Sequence, residues 1–68
     1  MSISKESLIS EKDQLDLKIQ QLQRLSKSKE FGSVSINEAK LVKKQLASMK
    51  QYLSILKQRL DLQWQLQN

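Results

Sequence analysis

Between Val42 and Leu60, large apolar residues recur at alternating steps of four and three: Val42, Leu46, Met49, Leu53, Leu56, Leu60. That alternation is the seam of an α-helix that packs lengthwise against another helix. A second series runs beside it with the same alternation: Leu41, Gln45, Ser48, Tyr52, Ile55, Arg59, Leu62, Leu66. The first series is hydrocarbon plus one thioether. The second mixes apolar groups with an amide, a phenol and a guanidinium. One partner helix covers the first stripe, so the second is expected to face another chain, a ligand, or both.

The partner helix is readable in the first half. Ser4 is placed to cap it, with Ile3 and Leu8 in hydrophobic-staple positions and Glu6 in the first turn, where the positive end of the helix dipole favours a carboxylate. Leu8, Leu15, Ile19, Leu22 and Leu25 supply its apolar face. Lys12 interrupts that face, its stem expected to lie along the seam with the ammonium in solvent. Leu17 points away from the seam, as a free surface leucine or an intermolecular contact. The helix is expected to fade over residues 26–30, where Lys27 and Lys29 suit its negative end. Gly32, the only glycine, is expected at the C′ position with positive φ. Phe31 is expected to plug the end of the core.

Ser35 followed by Glu38 fits a capping box for the second helix, with Val34 and Ala39 in the staple positions. The spacing predicts helix 1 over residues 4–30, a loop over 31–35 and helix 2 over 36–66. The short loop makes the helices antiparallel. Helix 2 is the longer, about 45 Å against about 37 Å. Its last turns, with Leu62, Trp64 and Leu66, overhang the first helix and form an apolar patch. A second subunit or the Met1–Ile3 segment is expected to cover it.

Composition sharpens the same expectation. Sixty-eight residues with no proline, cysteine or histidine form one domain over 1–68, with neither a disulfide nor a thiolate metal site to staple it. A core this small rarely contributes more than roughly 3–5 kcal/mol, which leaves oligomerisation as the route to stability. The fold class expected is all-α, an antiparallel two-helix hairpin that assembles into a homo-oligomeric bundle. The net charge is +5, and it is uneven. Residues 1–31 carry six basic and five acidic side chains, residues 32–68 six basic and two acidic. A basic second half suggests an anionic partner, against the plainer reading of a lysine-rich solvated face. No apolar run approaches the roughly 20 residues of a membrane span and no signal-peptide layout is present, so a soluble cytoplasmic protein is expected.

Catalysis is poorly supplied: no histidine for acid–base work, no cysteine nucleophile, and no glycine-rich phosphate loop. The chain is not expected to be an enzyme, to bind a metal or to need a cofactor. Glu11, Asp13 and Asp16 are expected to form a solvated acidic face beside Lys12 and Lys18. The second stripe is the better candidate. Gln45, Tyr52 and Arg59 recur every seven residues, about 10 Å apart along one side of the helix. An arginine fork binds phosphate, tyrosine stacks on a base, and glutamine reads a base edge. Lys18 adds a cation from helix 1, with Lys12, Lys50 and Lys57 as further candidates. The plainer reading makes Tyr52 and Arg59 the polar edges of a helix–helix interface, where both types are enriched. Lys40, Lys43 and Lys44 suit phosphate contacts, but a hairpin without a third helix is no helix-turn-helix module.

The residues Glu11-Lys-Asp-Gln-Leu15, Lys18-Ile19, Leu22, the Ser-Lys-Glu-Phe31 linker, and Gln45-Leu46, Met49, Tyr52, Ile55-Leu56, Arg59-Leu60 together resemble a small phage protein family named after a crAss-like phage protein. The resemblance covers about residues 8–62. It implies a phage or prophage origin, action in the cytoplasm of a bacterial host, and a compact helical hairpin. By analogy of size and architecture it also suggests the immune-evasion sponges of phages, which oligomerise and trap the nucleotide messengers of bacterial defence. The expected function is therefore non-enzymatic sequestration of a small anionic, cyclic nucleotide at subunit interfaces, with Lys18, Gln45, Tyr52 and Arg59 binding it. The alternatives are an adaptor or inhibitor that docks a host defence protein or a phage protein, and a weak nucleic-acid binder.

Overall fold

The computed structural model describes residues 4–67, with side chains over 4–64. Two helices, α1 (Lys5–Ser26) and α2 (Ile36–Gln67), pack against each other as a hairpin, joined through a 3₁₀ turn at Glu30–Ser33. The hairpin is a slab of 50 × 20 × 15 Å. Ile3, the Met1–Ile3 segment and the Leu66 side chain lie outside the described residues.

The helix starts follow the capping residues. Ser4 takes an extended backbone conformation, and its Oγ accepts the Ser7 N–H at 3.1 Å. At α2, Ser35 Oγ accepts the Glu38 N–H at 3.1 Å. Each bond satisfies one of the orphan donors that a helix N-terminus leaves.

The end of α1 differs from expectation. The helix stops at Ser26 instead of reaching residue 30. Two serines account for this by competing for backbone carbonyls: Ser26 Oγ donates to the Gln23 carbonyl and Ser28 Oγ to the Leu25 carbonyl, both at 2.7 Å. The Lys27 N–H turns back to Arg24 and Leu25, and Ser28 N–H to Leu25 at 3.0 Å. Gly32 is a second correction. Among the described residues no φ is positive, glycine included. The chain turns through successive 3₁₀-type bonds, Gly32 N–H to Lys29 and Val34 N–H to Phe31, and these need no left-handed residue. Phe31 is half-buried at this end.

The seam forms largely as the periodicity predicts. Leu8, Ile19, Val42 and Leu56 are buried, and Leu15, Leu22, Leu46, Met49, Leu53 and Leu60 are half-buried. Lys12 is half-buried within it and ends in an ion pair with Asp13 at 2.9 Å. Leu25 departs from the expected core and stays 47% exposed. The reason is register. The alternation 8, 12, 15, 19, 22 continues to Ser26, which is half-buried, so Leu25 falls one residue short and onto the flank. The unequal helix lengths are present: α1 has 22 residues and α2 has 32. Leu62 and Trp64 are exposed on the overhang, with the Lys5 ammonium 4.0 Å over the Trp64 ring, a cation–π contact that brings the start of α1 to the far end of α2.

Two outcomes check this account. Leu56, fully enclosed, should cost about 2–5 kcal/mol when cut to alanine, enough to unfold much of the chain by circular dichroism. Leu17→Ala on the exposed face should stay within about 0.5 kcal/mol. At Gly32 an added Cβ would meet nothing within 4 Å, and φ is not positive. Gly32→Ala should therefore be neutral or stabilise by about 0.4–1 kcal/mol in urea unfolding, whereas a left-handed turn there would make the same change destabilising.

Candidate functional site

In an antiparallel hairpin each step toward the C-terminus on one helix matches a step toward the N-terminus on the other. The flank of α1 just before its seam positions carries Glu11, Lys18 and Leu25 at heptad spacing; the matching flank of α2 carries Gln45, Tyr52 and Arg59. Tyr52 Oη donates to a Glu11 carboxylate oxygen across the hairpin. That bond marks the register. Moving seven residues on along α1 and seven back along α2 brings Lys18 opposite Gln45.

These two line a groove with Gln21, Leu22, Leu25 and Met49, of volume ≈ 290 Å³. Leu22 and Met49 come from the seam and give it an apolar floor. Lys18, Gln21 and Gln45 supply an ammonium and two amides at its rim, and Leu25 closes it toward the turn. The residue that missed the core thus finds its place here. The mouth is open to solvent, and the volume lies at the small end of ligand sites, about 300–1,000 Å³.

Of the four side chains singled out in the sequence, the structure brings Lys18 and Gln45 together. Tyr52 stands one heptad away with its hydroxyl engaged by Glu11, so its ring is the part left accessible, at 41% exposure of the residue. Arg59 stands two heptads from Gln45, about 21 Å along the axis. It is half-buried and forms no ion pair among the described residues. No single hairpin gathers all four. Gln21, Leu22, Leu25 and Met49 went unrecognised as lining residues, and Glu11 was read as part of a solvated face. The signal for Glu11 lay in the sequence: with the seams aligned, it is the position that heptad counting places across from Tyr52.

Among the described residues no cluster of three histidine, cysteine, aspartate or glutamate side chains is arranged to hold a metal ion, and no helix is long and apolar enough to cross a membrane.

The comparison with protein families is decisive on kinship. A family model described as Sequestin matches residues 3–62. The chain belongs to the Sequestin family. The match spans both helices and the turn, and so includes Lys18, Gln45, Tyr52 and Arg59. The family name denotes sequestration, which fits a protein that binds something and holds it. No curated protein and no solved structure matches the chain.

The Tyr52–Glu11 bond lies at the surface and should contribute modestly. Tyr52→Phe and Glu11→Gln should each lower stability by less than about 1 kcal/mol. In a double-mutant cycle the two should be non-additive, because they remove one bond. Strict additivity would separate the two side chains in solution.

Proposed function

We propose that this chain is a non-enzymatic binding protein that oligomerises and sequesters a small anionic nucleotide, of the cyclic kind used as a signal in bacterial defence against phage. On this reading it is phage-encoded and acts in the cytoplasm of the host. The observation that carries the reading is the groove in which Lys18 and Gln45 meet above Leu22 and Met49. An ammonium beside amides over an apolar floor offers a nucleotide a charge for its phosphate, edges for its base and a surface for its ring. Membership of a family named for sequestration supports it, as does the excess of positive charge in residues 32–68. With the Tyr52 hydroxyl held by Glu11, the tyrosine's part is to stack. Arg59 clamps phosphate. Sequestration needs only tight, stoichiometric binding, so the scarcity of catalytic side chains is no obstacle to it.

A second reading has its own observation. Leu41, Ile55 and Leu62 are exposed along α2, a surface that a protein partner could dock against. On that reading the chain is an adaptor or inhibitor, and Tyr52 and Arg59 are interface anchors.

Calorimetric titration with a panel of cyclic and linear nucleotides separates the two. The sponge reading expects saturable heat with at least one member. It also expects a melting temperature that rises with ligand by mass action, equivalent to about 2.7 kcal/mol at a hundredfold excess over Kd. Lys18→Ala and Gln45→Ala should each weaken that binding about tenfold or more, near 1.4 kcal/mol, with little effect on the fold. Silence across the whole panel at protein concentrations well above micromolar would refute the nucleotide reading.

A further inference from the structure

The seam and the groove leave the turn end of the hairpin unexplained. Residues 24–44 carry six basic and two acidic side chains, and the rest of the chain carries six basic and five acidic. Most of the net charge therefore sits where α1 ends and α2 begins. Arg24 lies in the last turn of α1 and Lys27 at its C-cap, Lys29 lies in the connection, and Lys40, Lys43 and Lys44 lie in the first turns of α2. All six are exposed, and among the described residues none is in an ion pair, with Glu30 and Glu38 or with any other acid.

The same end is apolar at its extremity. Ile36 is 76% exposed, the most of any large apolar side chain among the described residues, and Val34 is 38% exposed. Neither belongs to the seam or to the second stripe. Ile36, Lys40 and Lys43 follow at steps of four and three, so they share one face of α2. Lys40 precedes Leu41 by one residue, which turns this face about 100° from the stripe that holds Leu41, Tyr52 and Ile55.

We propose that the turn end is a docking surface for an anionic lipid bilayer. Val34 and Ile36 enter the headgroup boundary, and the lysines behind them meet the lipid phosphates. Lys40 and Lys43 stand about 6 and 10 Å behind Ile36 along the axis, comparable to the depth of about 5–10 Å at which surface-bound apolar groups lie. Their flexible stems carry the ammonium groups to the phosphates. A nucleic acid would offer these cations phosphates but give Val34 and Ile36 no hydrocarbon to enter. The one aromatic ring at this end, Phe31, is half-buried, a poor platform for stacking on bases. Two apolar groups are too few for permanent insertion, so the attachment is reversible and leans on charge. No helix among the described residues is long and apolar enough to cross a membrane, and the contact proposed is with the bilayer surface.

Sedimentation with vesicles tests this. The full chain should sediment with vesicles of phosphatidylcholine and phosphatidylglycerol in equal parts, stay in solution with phosphatidylcholine alone, and be released as salt rises. Lys40→Gln and Lys43→Gln should each weaken uptake about fivefold. Ile36→Ser should weaken it several-fold at unchanged net charge. Lys57→Gln removes the same charge about 31 Å from Ile36, well beyond a Debye length of about 8 Å, and should leave uptake unaltered. All four positions are exposed, and circular dichroism should show each variant as helical as the parent.

Absence of uptake by the anionic vesicles at low salt would overturn the proposal. So would equal losses from Lys40→Gln and Lys57→Gln, which would make net charge alone the cause. Uptake indifferent to Ile36→Ser would overturn the bilayer as occupant and leave an end that binds phosphate alone; a labelled single-stranded oligonucleotide, titrated against the same lysine variants, would then show the loss instead. The nucleotide reading stands separately, because Lys18 and Gln45 line the groove and none of these variants alters them.

Discussion

One seam holds this molecule together. Leu8, Ile19, Val42 and Leu56 are its buried side chains, and the half-buried leucines on either side complete it. With no disulfide available, closing the turn is worthwhile only because this stripe leaves water. Everything placed on the surface depends on the resulting register. The register sets Glu11 against Tyr52, Lys18 against Gln45 and Leu25 beside the groove. A slip of one heptad would preserve the helices and dissolve the site.

The same economy explains why the chain presents so much apolar surface. A helix has one direction in which a single neighbour can cover it, yet α2 carries large groups in two directions. Leu41, Ile55 and Leu62 cannot turn inward without moving Leu46, Leu53 and Leu60 out. The overhang adds Trp64, which the Lys5 ammonium covers from one side. One stripe makes the fold, and the large apolar groups of the other stay exposed.

Much of the fold was legible because periodicity and capping are local. The Ser4 and Ser35 caps and the seam on α2 came directly from residue spacing. The end of α1 did not. Lysines near a C-terminus and a lone glycine suggested a longer helix with a left-handed stop, while the serine hydroxyls at 26 and 28 had the decisive role by taking carbonyls that the next turn would have used. Leu25 shows a different failure. Its hydrophobicity argued for the core, but its place in the four-three alternation argued against, and geometry prevailed. At the groove, Lys18 and Gln45 were found as residue types suited to a nucleotide. Their pairing required knowing which residue lies across the hairpin, a relation between distant segments that neither stripe contains alone. Arg59 belongs with them chemically and lies far from them in one chain, which is what directs attention to a second.

The central claim is that α2 has more apolar face than α1 can cover, and the proposed function has copies of the chain cover the rest. Thermal unfolding followed over a roughly thousandfold range of protein concentration tests it most directly. Association linked to folding makes the midpoint rise with concentration by mass action, and this account predicts that rise. A midpoint that stays constant over the whole range, together with a cooperative transition, would show a hairpin stable by itself and contradict the claim.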